Sequence, residues 1–200
     1  MLKLFGRPPP VTTILIVLNS IIFAYGMLSG TQEKIILHYG FVPNYLYQHG
    51  DHELADSLLR LFTSMFIHAN IAHISFNLFA LAYMGGFAER SMGVSRFVPI
   101  YIASGIAGGL LHGVVSSYIL FNGNDILIGA SGAISGILGV AAALGDIRGY
   151  YWLAIQVLYV FIGSFASLSI AFVAHVGGFI TGLFLTKFMI QIERAKKRWI

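Results

Sequence analysis

Cysteine is absent from all 200 residues, which excludes disulfides and thiolate metal sites and leaves the redox compartment unread. Charge is scarce: Asp, Glu, Lys and Arg make up 10% of the chain against 57% for the hydrophobic types. A soluble domain carries about 25% charged residues, so a surface this poor in charge must face lipid. No His-Glu-x-x-His motif occurs, which disfavours a zinc protease, and neither a metal nor a cofactor is expected. No signal-peptide pattern opens the chain: Lys3 and Arg7 are followed by Pro8-Pro9-Pro10 and then by an apolar run long enough to cross a bilayer. The basic residues cluster at the ends of hydrophobic stretches, a sign of membrane topology rather than of a nucleic-acid partner.

What the chain does hold is a series of apolar stretches near the ~20 residues a membrane helix needs. Six are expected, at approximately 11–28, 60–85, 97–120, 126–144, 151–165 and 168–190, making one all-α polytopic membrane domain over 1–200. The outer loop, 29–58, holds Glu33, Lys34, His49, Asp51, His52, Glu53 and Asp56, and its Tyr45 and Tyr47 could lie in the membrane interface. Arg60 is expected to anchor that loop to headgroups or to backbone carbonyls. With a cytoplasmic N-terminus, ten of the twelve lysines and arginines fall on the inner side, including Arg194, Lys196, Lys197 and Arg198 of the basic tail, 191–200. Only Lys34 and Arg60 fall outside. That asymmetry puts both termini of a multi-pass cell-membrane protein in the cytoplasm and Ser131 just below the outer surface.

Polar side chains inside a bilayer are costly and usually face the bundle interior or a water-filled cavity. Three groups stand out. His73 and Asn77, four residues apart on the second stretch, share a helix face and can both donate hydrogen bonds. Such a pair can serve a tetrahedral oxyanion or clasp two helices together. His68 points off that face and could line a water entrance or sit at the interface. Ser131 lies in Gly129-Ala130-Ser131-Gly132-Ala133, where a polar turn (Phe121 to Asp125) meets the fourth stretch. It is either a packing residue or a nucleophile. Small residues recur every fourth position at Ser131, Ser135 and Gly139, and again at Ala174, Gly178 and Gly182 beside His175. Faces of this kind let helices approach closely and could bring His175 to Ser131, where an imidazole activates a serine as general base. No carboxylate lies at this depth: Asp125 is in the outer turn, with Glu89 and Asp146 on the inner side. A Ser-His dyad is thus the available chemistry rather than a triad. His112, near the outer half of the third stretch, is read as structural or interfacial.

On these residues the sequence resembles the rhomboid intramembrane serine proteases. The family's Gly-x-Ser-Gly pattern is Gly129 to Gly132, continuing through Gly136 and Gly139. Its Ala-His-x-x-Gly pattern is Ala174, His175 and Gly178, and its second-helix pattern is His68, His73 and Asn77. Glu89-Arg90 with Gly93 resembles the segment that follows. The resemblance runs from about residue 11 to 190 and implies the minimal six-helix prokaryotic form. It implies Ser131 as nucleophile and His175 as general base, then general acid. His73, Asn77 and the Ser131 backbone N–H would stabilise the oxyanion, with His68 lining the site or its water access. Gly129, Gly132, Ser135, Gly136, Gly139, Gly178 and Gly182 would serve helix packing. The substrates implied are single-span membrane proteins entering sideways from the lipid, with the fifth stretch or a neighbouring loop as the gate; no oligomeric state is implied. Two departures stand out. Leu59 precedes Arg60 where many relatives carry Trp, and Ser135 stands four residues after the nucleophile, where relatives often place an aromatic that supports the histidine. No residue of the sequence identifies itself as the group that holds His175.

Two other functions are compatible with some of these residues. One is a catalytically silent relative that binds membrane clients, weakened by the presence of both Ser131 and His175. The other is a small transporter or channel using His68, His73, Asn77 and His175. It is disfavoured by the lack of matching halves and of an intramembrane carboxylate.

Overall fold

The computed structural model describes residues 8–47, 54–166 and 171–196. Lys3, Arg7, Lys197, Arg198 and the 168 start of the sixth stretch lie outside them, as do His49, Asp51, His52 and Glu53. Among the described residues there is no strand, only an isolated antiparallel bridge between Phe41 and Leu127.

The first helix, α1 (Pro10–Leu28), begins on its prolines for a physical reason. A proline at the first helical position gives up an N–H that has no intrahelical partner. The next two free N–H groups, of Val11 and Thr12, donate to the Glu89 carboxyl at 3.0 and 2.7 Å, and the Thr12 hydroxyl adds a third bond at 2.7 Å. Glu89 is 3% exposed and so caps α1 from another helix. Replacing Glu89 with Ala strands these buried donors and is expected to cost about 1–3 kcal/mol. Thermal unfolding in detergent checks this, with Glu89→Gln falling between the two.

The connection after α1 is not a plain loop. It contains α2 (Gln32–Tyr39) and α3 (Pro43–Tyr47), and α4 (Leu54–Thr63) follows. Arg60 takes the carbonyl option: it donates to Leu37 O at 2.9 Å, pairs with Asp56 at 2.7 Å and lies over the Tyr45 ring. The Tyr47 hydroxyl donates to Leu110 O at 3.0 Å.

The second apolar stretch is broken where the sequence reading ran it through. A tight turn at Ser64–Phe66 closes α4, and α5 (Ile71–Ala80) starts afresh. Asn70 is the cause: its backbone is extended and its side chain accepts from the His73 N–H at 2.9 Å, an N-cap. After a π-helical turn at Leu81–Gly85, α6 (Gly86–Met92) ends at Gly93, whose φ of 76° reverses the chain. The long helix α7 (Val94–Tyr118) follows.

The fourth stretch is also shorter than expected. The helix α8 (Ser131–Ala143) begins at the serine, and 126–130 is non-helical. At 13 residues it rises only about 20 Å against a hydrocarbon core of about 30 Å. Non-helical backbone is tolerated at membrane depth where protein satisfies it, and here Leu127 pairs with Phe41 while Gly129 N donates to Ser64 O at 2.9 Å. Helices α9 (Ile147–Ala166) and α10 (Ala171–Lys196) complete the described chain. Among the described residues, four helices, Pro10–Leu28, Ile71–Met92, Val94–Tyr118 and Phe172–Lys196, are long and apolar enough to cross a membrane.

α8 is the axis of the bundle, every residue from Gly132 to Ala142 being buried against α7, α9 and α10. Its contact with α10 is backbone on backbone. A Cβ on Gly178 would fall 2.0 Å from Gly132 O, and one on Gly182 would fall 2.0 Å from Gly136 O. α7 joins the same contact: a Cβ on Gly136 would strike the Ser104 side chain, and one on Gly108 would lie 2.4 Å from Ala174 O. The ends are tied as well. Arg96 pairs with Glu193 across α7 and α10, and Arg148 donates to the Tyr83 hydroxyl at 3.1 Å. The described basic residues Arg90, Arg96, Arg148 and Arg194 thus gather at the end where Glu89 caps α1.

Candidate active site

Ser131 is the first residue of α8, so its hydroxyl sits at a helix start rather than along a packed face. Gly129 just before it has φ 115°, a conformation that L side chains rarely adopt. A Cβ there would lie 2.7 Å from His73 Nε2. Gly129 therefore does not pack helices, as the sequence had it; its missing side chain leaves room for the His73 ring beside Ser131. Ser135 turns inward, fully buried, and donates to Ser131 O at 2.8 Å.

On α10, three residues above the Gly178 contact, His175 places Nε2 2.7 Å from Ser131 Oγ. The close approach of α8 and α10 is what spans 44 positions of sequence with one hydrogen bond. The other ring nitrogen, Nδ1, lies 2.6 Å from Gln156 Oε1 on α9. Sequence reasoning missed Gln156; the available signal was a lone amide in the middle of an otherwise apolar stretch, 3% exposed once folded. Aromatic support for His175 comes from two other places than position 135. Phe172 meets the ring edge-on at 5.9 Å between centroids, and Trp152 lies 6.3 Å away.

Across from the dyad stand His73 and Asn77. Asn77 is 6% exposed, its amide nitrogen donating to His73 O at 2.9 Å while its Oδ1 is buried without a partner. His73, Asn77, Ser131, Gln156 and His175 all border one cavity of about 1090 Å³. Its walls are α5 on one side and α9 on the other, with Phe76, Phe79, Tyr83, Trp152 and Ile155 among them. His112 of α7 also borders it and approaches Ser116 Oγ at 3.2 Å. Asn122 and Asp125, from the turn before α8, border it as well.

His68 is not among the residues bordering this cavity, contrary to the lining role expected of it. It is 1% exposed and packs edge-on behind His73, with centroids 5.0 Å apart. The reason is local: His68 precedes the Asn70 cap, so its side chain turns into the protein before α5 begins. Its carbonyl receives Gln32 Nε2 at 2.5 Å, which ties α2 to this turn.

A serine hydroxyl 2.7 Å from an imidazole nitrogen, with amide and imidazole groups across an open cavity, is an arrangement suited to acyl transfer. The rhomboid domain model matches residues 55–192. The chain belongs to the rhomboid family. Among its relatives, Rhomboid protease GluP of Bacillus subtilis (strain 168) is 32% identical over 185 residues, covering 88% of this chain and 34% of that one. RHOMBOID-like protein 7 of Arabidopsis thaliana is 34% identical over 145 residues, 67% of this chain and 43% of that one. Rhomboid-like protease 1 of Toxoplasma gondii is 35% identical over 107 residues, 54% and 33% of the two chains. The chain thus spans less than half the length of each of these relatives. With four membrane-length helices and this family, the chain is a multi-pass membrane protein.

Proposed function

We propose that this rhomboid-family protein is an intramembrane serine endopeptidase that cleaves single-span membrane proteins in or near their membrane segment. The observation that carries this is the 2.7 Å contact between Ser131 Oγ and His175 Nε2, two residues that border one open cavity. His175 takes the serine proton as Oγ attacks the scissile carbonyl, and returns it to the leaving amine. The Ser131 backbone N–H, one of the free donors at the start of α8, faces the developing oxyanion together with His73 and Asn77. Asn77 joins by turning its amide away from the His73 carbonyl. The substrate segment enters between α5 and α9 with α9 as gate, unwinding where Ser131 lies, and water arrives from the outer side at Asn122 and Asp125. The chain crosses the cell membrane six times with its basic end, and hence both termini, in the cytoplasm.

The test is reconstitution in lipid with a labelled single-span substrate, alongside labelling by a serine-reactive fluorophosphonate. Cleavage together with labelling supports the protease; an absence of both, for every substrate tried, defeats it. The oxyanion assignment makes its own prediction. Asn77→Ala and His73→Ala are each expected to lower kcat by about 10²–10³ while leaving the melting temperature in detergent nearly unchanged. A helix clasp would reverse that pattern, with lost stability and little change in turnover per folded molecule.

A further inference from the structure

We infer that Gln156 is the positioning residue for His175: its amide oxygen accepts the Nδ1 proton and so turns the Nε2 lone pair toward Ser131. The inference rests on the protease proposed above.

A neutral imidazole carries one proton, and which nitrogen holds it is set by the hydrogen bond the other ring nitrogen makes. With Gln156 Oε1 2.6 Å from Nδ1, the proton sits on Nδ1. Nε2 is then bare where it meets the serine hydroxyl at 2.7 Å, and this is the base-competent tautomer. With the amide reversed, Gln156 would donate to Nδ1, the proton would move to Nε2, and the ring could no longer accept from Ser131. The acceptor is well held, Gln156 being buried to 3% exposure, and α8 and α10 both pack on the helix that carries it. It does what an aspartate does in a triad as far as orientation goes, without the negative charge that would stabilise an imidazolium. The other ionisable side chains on the cavity wall, His73, His112, Tyr83 and Asp125, come from α5, α7, the π-helical turn and the outer turn.

The experiment compares the reconstituted parent with Gln156→Leu, which removes the acceptor at similar volume, and Gln156→Glu, which keeps it and adds charge. Gln156→Leu is expected to lower kcat by about tenfold or more at nearly constant KM and constant melting temperature. Gln156→Glu is expected to retain turnover at high pH, with the low-pH limb of kcat displaced upward because an anionic partner favours the imidazolium. Parental kcat and pH profile in Gln156→Leu overturn the inference and leave the protease standing. Equal losses in both variants with an unshifted limb overturn it too. Should Gln156→Glu fail to fold, nitrogen-15 shifts of His175 decide: a tautomer protonated at Nδ1 in the parent and lost in Gln156→Leu supports the inference, and the same tautomer in both overturns it. A parent that neither cleaves nor accepts the fluorophosphonate defeats the protease and this inference together.

Discussion

Ser131→Ala and His175→Ala are each expected to abolish cleavage, lowering kcat by on the order of 10⁴-fold or more, and the double variant is expected to be no worse than either single one. Nucleophile and base act as a unit, so removing one removes the function of the other. Ser131→Ala also loses the atom that a fluorophosphonate modifies. His175→Ala keeps that atom without its activating base, so its labelling slows while its fold persists. The folded state should tolerate both changes. Ser131 is only partly buried, and deleting its hydroxyl leaves the Gln156 contact to His175 intact. Rates are read on the reconstituted protein with thermal unfolding in parallel. Parental cleavage in Ser131→Ala would remove the serine from the chemistry.

The second large effect concerns two glycines that look equivalent in the sequence. Gly178→Ala is expected to destabilise strongly and Gly132→Ala to be tolerated. At Gly178 the new Cβ falls 2.0 Å from Gly132 O, and the obstacle is backbone, which cannot rotate away. α10 must then retreat from α8. Forcing extra volume into a packed contact typically costs about 1–3 kcal/mol, and a backbone–backbone clash belongs at or above the top of that range. For a chain of this length about 3 kcal/mol corresponds to a fall of roughly 6–12 °C in melting temperature. The retreat would also pull His175 from Ser131, so activity per folded molecule should fall as well. At Gly132 the nearest atom to a new Cβ, Ala174 O, is 3.7 Å away, ordinary van der Waals contact. Equal melting temperatures for the two variants would refute this account of the α8–α10 contact.

The 2.7 Å approach of Ser131 to His175 has a signal in local spacing, although that spacing by itself left packing and chemistry both open. A small residue at every fourth position on two apolar stretches marks faces that can touch, and His175 lies next to one of them. The roles that the family resemblance implied do not carry over at Gly129 and His68. Gly129 shares the glycine-rich motif, but its φ of 115° makes it a turn that leaves space for His73 rather than a helix contact. His68 shares a stretch with His73, but the Asn70 cap breaks the helix between them and sends the two rings to different surroundings. Glu89 was assigned only to the inner side; its burial as the cap of a helix start 77 residues away came from the fold.

The sequence by itself determined the environment and the cast. Scarce charge and apolar stretches of membrane length specify lipid as solvent, because burial of apolar surface and the cost of placing charge in hydrocarbon act on composition and need no tertiary contact. Only the tertiary structure decided what surrounds His175. Gln156 holds its Nδ1, and Phe172 and Trp152 stand beside its ring, and these residues carry no pattern that relates them to Ser131. Their meeting depends on how closely α8 and α10 approach and where α9 then seats. That is a matter of backbone distances near 2 Å from a missing Cβ, set jointly by three helices rather than by the spacing along any one.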